Sequence, residues 1–275
     1  MVDWAPVPSN ARNTEESIVT ARLGLVLRWR HLLLHLVRRD LQHRWRRSAL
    51  GPLWMLVNPL ILLAVYGFVF SVVLRVHVPS YPLFLLAGLL PWLWFAAGIS
   101  AAAGSIPRDA SLLRKAPFPA ELLPLRAILV AAADCTVGLL LLILAVAATR
   151  GLGPGVLLVP CLMALQGMLM MGIALPLAVW GAASRDAEHL AAAALRVLFF
   201  ATPVAWAASA VPARYHVVVG ANPLAALVDL YRSVLLGTPA LDGASLAIFG
   251  VGAAVTLVVG WALASRRVER VTEVI

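Results

Sequence analysis

The sequence predicts an all-α integral membrane protein, and three observations predict it. Of its 275 residues, 62% are hydrophobic and 13% charged, with a mean hydropathy of +0.91. Apolar runs of about 20 residues, the length a helix needs to cross a bilayer core, recur along the chain. Most basic residues gather on alternate connections between those runs, as the positive-inside rule requires of cytoplasmic loops. One membrane domain over residues 23–275 accounts for the length, after a polar stretch at 1–22 that holds Pro6 and Pro8 and reads as a mobile tail. No signal peptide with a small-residue cleavage site is expected.

From Leu23 to Arg47 the pattern is helical and two-faced. Arg28, His31, His35, Arg38, Arg39, Gln42 and Arg46 share one arc, while Trp29, Leu33, Leu36, Val37, Leu41 and Trp45 occupy the other side. A basic, Trp-bearing amphipathic helix is suited to lie in a membrane interface. His31 and His35 are spaced i,i+4, but no Glu follows the first and no third ligand is evident, so a solvated polar face is expected and no metal site.

Six spans follow: Leu53–Leu74, Pro82–Ile106, Ala127–Ala148, Gly155–Ala183, Leu190–Ala208 and Ala244–Ala264. With the N-terminus in the cytoplasm, the inside segments hold the nine basic residues that precede the first span, together with Arg108, Arg114, Lys115, Arg126, Arg185, Arg196, Arg266, Arg267 and Arg270. The outside holds only Arg75, Arg150, Arg214 and Arg232, so both termini are expected in the cytoplasm. The formal charge of +9 is thereby explained by topology and anionic lipid, without nucleic acid.

Two connections are unlike the rest. Residues 108–126, RDASLLRKAPFPAELLPLR, form a basic, partly apolar inside loop that contains the only lysine, Lys115. Such a loop suits a membrane subunit on which another protein pushes. Residues 209–243 form an outside region whose stretch from Pro223 to Leu236 is apolar with helical period, yet too short to cross; a re-entrant or interfacial helix is expected. Asn222 before Pro223 is a helix-start signal and Gly237 a stop. Asp229 and Arg232 are three apart and predict an exposed ion pair.

The chemistry of hydrolysis is missing from the sequence. A Walker A loop needs a lysine after a glycine-rich run, and Lys115 is followed by Ala116 with no such run before it. There is no GxSxG, HExxH or CxxC, so no catalytic residue and no metal site is assigned. Cys135 and Cys161 lie within predicted spans and read as small core hydrophobes. Asp134 is the one ionisable group deep in a span. It fits either an ion pair with Arg196 or a proton relay, and relays usually string several such groups together, which favours the pair.

Four segments carry a family resemblance. RDLQHRWRRSALGPLWMLVNPL, Arg39 to Leu60, resembles the approach to the first span in the permeases of polysaccharide-exporting ABC transporters, the type 2 exporters of lipid-linked O-antigen, teichoic acid, capsule or galactan. YPLFLLAGLLPWLWF, Tyr81 to Phe95, is similar to their second span, LLRKAPFPAELLPL, Leu112 to Leu125, to their coupling-helix region, and NPLAALVDLYRSVLLG, Asn222 to Gly237, to their external gate. The four fall in the family's order. Trp45 departs from the family, which often has Tyr there.

The resemblance implies a homodimer of six-span subunits in a bacterial inner membrane, each docked on a separate nucleotide-binding ATPase that holds the ATP and Mg, so that this chain binds no cofactor itself. It implies coupling through Arg108, Asp109, Leu112, Leu113, Arg114, Lys115 and Phe118. It implies a channel whose aromatic side chains contact sugars, with Trp54, Tyr66, Phe70, Phe199, Phe200 and Trp206 as candidates, and an external gate at Asn222, Pro223, Asp229 and Arg232. The substrate would be a polyprenyl-diphosphate-linked glycan, its diphosphate met by Arg38, Arg39, Arg44, Arg46 and Arg47 of the interface helix. Competing readings are an ABC permease for a small hydrophobic drug or lipid, a proton-coupled transporter using Asp134, and a membrane transferase. The first differs from glycan export only in substrate, the second needs no ATPase, and the third lacks an acid/base cluster.

Overall fold

The computed structural model describes residues 28–46, 50–73, 80–115, 118–208, 211–238 and 243–274. The expected tail at 1–22, Arg47 of the interface helix and the end of the first span at Leu74 lie outside them. Every regular element among the described residues is helical. We number the helices α1 (Arg30–Arg46), α2 (Trp54–Gly67), α3 (Tyr81–Ala103), α4 (Ser105–Arg108), α5 (Ala110–Lys115), α6 (Leu122–Arg150), α7 (Val159–Ala183), α8 (Asp186–Ala201), α9 (His216–Gly220), α10 (Pro223–Leu236) and α11 (Gly243–Val274).

Five stretches are long and apolar enough to span: Gly51–Phe70, Tyr81–Ala103, Leu122–Arg150, Pro154–Ala183 and Gly243–Ser265. The stretch expected as a span at Leu190–Ala208 is instead filled by α8, a helix of 16 residues that ends at Ala201. At 1.5 Å per residue it reaches about 24 Å, short of the roughly 30 Å hydrocarbon core. The cause is local. Pro203 disfavours helical geometry in the residue before it, and Thr202 is extended, with φ −105° and ψ 137°.

α3 is the hub. It packs on α6, α7, α10, α2 and α8, and 61% of its apolar stretch is buried, against 11% for the first span. Two side chains rivet it within the bundle. Trp94 Nε1 donates to the Ile128 carbonyl of α6 at 3.0 Å, and Gln166 Nε2 of α7 donates to the Pro91 carbonyl at 2.8 Å. Both satisfy polar groups where lipid offers no partner.

α7 and α11 form the most intimate pair, and glycine permits it. A Cβ on Gly260 would lie 1.8 Å from the Gly172 carbonyl oxygen, so the two backbones touch. Gly181 plays the same part where α7 meets the end of α3, with Ala103 O at 1.9 Å from its would-be Cβ. Small residues at crossings are how helices associate in lipid, where apolar burial alone gives little drive. The two cysteines differ. Cys135 is buried as expected, while Cys161 is exposed on the flank of α7 and is not part of the core.

α1 follows its sequence pattern. Leu33 and Leu36 are buried, and Arg28, His31, His35, Arg38, Arg39, Gln42 and Arg46 are exposed. Its inner face lies against α6.

Candidate functional site

Three regions hold the residues singled out in the sequence. The first is the loop after α3. It folds into the short helices α4 and α5, with Asp109 between them, and α6 begins at Leu122. Arg126 therefore belongs to a spanning helix and not to the loop that was expected to run from 108 to 126. Arg114 and Lys115 are exposed at the end of α5. Leu112 and Leu113 are half-buried and packed against the core, and Phe118 is buried within it. Phe118 thus anchors the loop, and the exposed charges are what the loop presents outward.

An ionic network ties this end together. Arg126 Nε faces Asp40 Oδ2 of α1 at 3.1 Å, and its Nη2 donates to Asp109 Oδ2. Arg44 Nη1 of α1 donates to Asp134 Oδ2 at 2.6 Å. Arg108 stands 3.8 Å from Glu188 of α8. The partner of Asp134 is therefore Arg44, 90 positions away, and not Arg196, whose Nε donates to the Ala192 carbonyl of its own helix. A long arginine on the interface helix reaches a carboxylate that a rigid span cannot bring to α8. Of the basic residues proposed to meet a diphosphate, Arg38 and Arg46 are exposed, Arg39 pairs with its neighbour Asp40, and Arg44 is engaged by Asp134.

The second region is an aromatic-lined cavity of about 320 Å³ between α2, α3 and α8. Tyr66, Trp92, Phe199 and Phe200 line it, with Arg196 as its one charged wall. The Phe199 ring lies 5.5 Å from both Tyr66 and Trp92, and 5.4 Å from Phe200, which is 77% exposed. Of the six expected channel aromatics, three meet here. Phe70 stacks on Tyr81 at 6.2 Å, Trp54 is exposed on another face of α2, and Trp206 follows α8, half-buried. Sequence reading missed Trp92. The signal was present: Leu89, Trp92, Leu93 and Ala96 share one helical face, whereas Trp94 is turned roughly 200° away, towards α6.

The third region is α10. Asn222 Oδ1 accepts from the Leu224 N–H at 3.0 Å, Pro223 fills the first turn, and Gly237 ends the helix at φ +72°. Asn222 does more than cap, because its Nδ2 donates to Thr202 Oγ1 at 3.0 Å and to the Ala201 carbonyl, joining α10 to the end of α8. The Asp229–Arg232 pair differs from its expectation. Arg232 is only 2% exposed. Its guanidinium donates to the Val204 carbonyl at 2.7 Å and to the Phe84 carbonyl at 3.4 Å, and its centre lies 3.6 Å from the Phe84 ring centroid. Asp229 stands 3.7 Å from Nη1 with a side chain that is 38% exposed. The i,i+3 rule places the two on one face but is silent about which face is buried. Here α10 lies against α3, so the arginine points inward.

These helices and their apolar surfaces define a multi-pass membrane protein. The ABC-2 type transporter family matches residues 31–236, and the chain belongs to that family. It is 32% identical over 240 residues to the O-antigen export system permease protein RfbA of Myxococcus xanthus, covering 86% of this chain and 91% of that one. It is 27% identical to the protein of the same name from Klebsiella pneumoniae, over 89% and 95% of the two chains, and 27% identical to the polysialic acid transport protein KpsM of Escherichia coli, over 84% and 91%.

Proposed function

We propose that this chain is the channel-forming subunit of an ATP-driven exporter that carries lipid-linked polysaccharide out of the bacterial cytoplasm across the inner membrane. The observation that carries the reading is the aromatic-lined cavity between α2, α3 and α8, taken with relatives named for O-antigen and polysialic acid transport. Aromatic faces stack on the apolar faces of sugar rings without fixing one register, which suits a polymer that must slide. Two copies of the chain form the conduit. The sparsely buried first span, Gly51–Phe70, supports this, since Leu60, Ile61, Val65 and Phe68 leave an apolar face for lipid or for the second copy. Both termini face the cytoplasm, and the diphosphate of the lipid carrier is met at α1. α10 closes the outer side at rest.

A separate ATPase subunit supplies ATP and Mg, and docks on α4 and α5. The complex in lipid nanodiscs is expected to hydrolyse ATP faster when given a polyprenyl-diphosphate-linked glycan, and the chain alone to hydrolyse none. Equal stimulation by a small hydrophobic drug would replace the glycan with the drug as substrate. Hydrolysis by the chain alone would remove the separate ATPase.

A second expected result concerns docking. Leu112→Asp with Leu113→Asp places charge in an apolar contact, where unpaired burial is costly. Export is expected to fall while the permease still folds, because both residues are half-buried at the surface of the core. Unchanged export in that variant would show that α5 transmits no force.

A further inference from the structure

We propose that Arg126 is the joint through which movement of the α4–α5 loop is passed to the interface helix α1. The transport part of this rests on the reading that an ATPase docks on that loop. Arg126 sits near the start of α6 and is 8% exposed. One guanidinium serves two carboxylates from elements far apart in sequence, Asp40 of α1 and Asp109 of the loop. Only arginine offers a planar fork that can hold two acceptors at once; a lysine ammonium is a point charge on a flexible stem. If Asp109 moves, the guanidinium must follow it or surrender a buried partner, and Asp40 is bound to the same group.

The joint is also built so that motion turns α1 and does not merely slide it. Asp40 and Arg44 lie one turn apart on α1, and their partners Arg126 and Asp134 lie about two turns apart on α6. The charges alternate along both helices. Slippage of α1 along α6 would carry Arg44 towards Arg126 or Asp40 towards Asp134, like against like. The register is therefore fixed, and a pull at Arg126 pivots α1 about the Arg44–Asp134 tie. There is room for this. A cavity of about 170 Å³ lined by Asp40, Arg44, Arg108 and Arg126 lies at the junction, and neither Arg126 Nη1 nor Nε makes a hydrogen bond there, so Asp109 takes the hydrogen bond while Asp40 is held by charge alone at 3.1 Å. The parallel link from Arg108 to Glu188 is 3.8 Å long between two exposed side chains, too weak to carry the same load.

The test uses Asp109→Asn, Asp40→Asn and the conservative Asp109→Glu in the full chain. Amide hydrogen exchange on the isolated permease reads the joint directly. Asp109→Asn is expected to speed exchange in α1, a segment it does not belong to, and Asp109→Glu to restore it. In the nanodisc complex Asp40→Asn, which lies away from the docking loop, is expected to assemble and hydrolyse ATP normally, while glycan exported per ATP falls about 10-fold, within the roughly 5–150-fold range of coupling between sites. Exchange in α1 that ignores Asp109→Asn would overturn the proposal. So would export per ATP that holds at the wild-type value, or that falls only in step with assembly and thermal stability, since the network would then be a static pin. Should α1 respond while the wild-type complex hydrolyses no ATP, the joint stands and the ATPase reading falls.

Discussion

Gly260→Leu is expected to prevent α11 from seating on α7, with a loss of at least about 3 kcal/mol, the upper end of ordinary overpacking. The reason is what the new side chain would meet. A Cβ at Gly260 would lie 1.8 Å from the Gly172 carbonyl oxygen and 2.6 Å from its carbonyl carbon. The reciprocal position is equally closed, since a Cβ at Gly172 would lie 2.4 Å from Thr256 O. These obstacles are backbone, which no rotamer change can move. The helices would have to separate along the crossing, forfeiting the close contact that replaces hydrophobic drive in lipid. Gly252, on the same helix with nothing within 4 Å of its would-be Cβ, supplies the control. Gly252→Leu should stay within about 0.5 kcal/mol of wild type. Thermal melts in detergent, with the yield of membrane-inserted protein, measure both. A Gly260→Leu protein that melts with the Gly252 variant would mean that the two helices do not approach so closely.

The parts of this molecule that could be read from the sequence are those set by neighbours along the chain. Asn222, Pro223 and Gly237 bounded α10 correctly because a cap, a first-turn proline and a left-handed stop are local requirements. The two faces of α1 were legible because the helical period alone sorts its residues. Five of the six expected spans needed only length and hydropathy. The remaining one, fifth in order, failed on a local signal that hydropathy overrides: the Thr202–Pro203 step breaks an otherwise apolar run at Ala201. What remained hidden depends on which elements meet. Asp134 finds Arg44 across 90 positions, and Arg126 joins two carboxylates from different elements. No spacing rule encodes such meetings. Trp92 and Trp94 show the middle case. Periodicity separates them onto opposite faces, but only packing says that one lines a cavity and the other is tied to Ile128.

The Arg232 site should reverse the order of importance that an exposed ion pair would give. Arg232→Leu is expected to cost about 2–4 kcal/mol. It removes charged donors from the Val204 and Phe84 carbonyls, worth about 1.5–3 kcal/mol where made to a charged group, and the ring contact on Phe84, worth about 0.5–2 kcal/mol. A leucine returns part of this through apolar packing but leaves the Val204 carbonyl without its donor. Asp229→Ala removes only a partner at 3.7 Å whose side chain is 38% exposed, so screening reduces its share to about 0–1 kcal/mol. Arg232→Lys should not rescue, because one ammonium cannot span two carbonyls and a ring face in the way a planar fork does. Gly88 offers an independent approach that keeps the charge. A Cβ there would stand 2.9 Å from Arg232 Nη2 and 3.1 Å from Val204 O, so Gly88→Ala should displace the guanidinium and produce a milder form of the same defect. Detergent melts rank the variants, and hydrogen exchange over residues 223–236 locates the loosening in α10. Equal losses for Arg232→Leu and Asp229→Ala would mean that the ion pair, and not the carbonyl and ring contacts with α3 and the turn after α8, holds this helix in place.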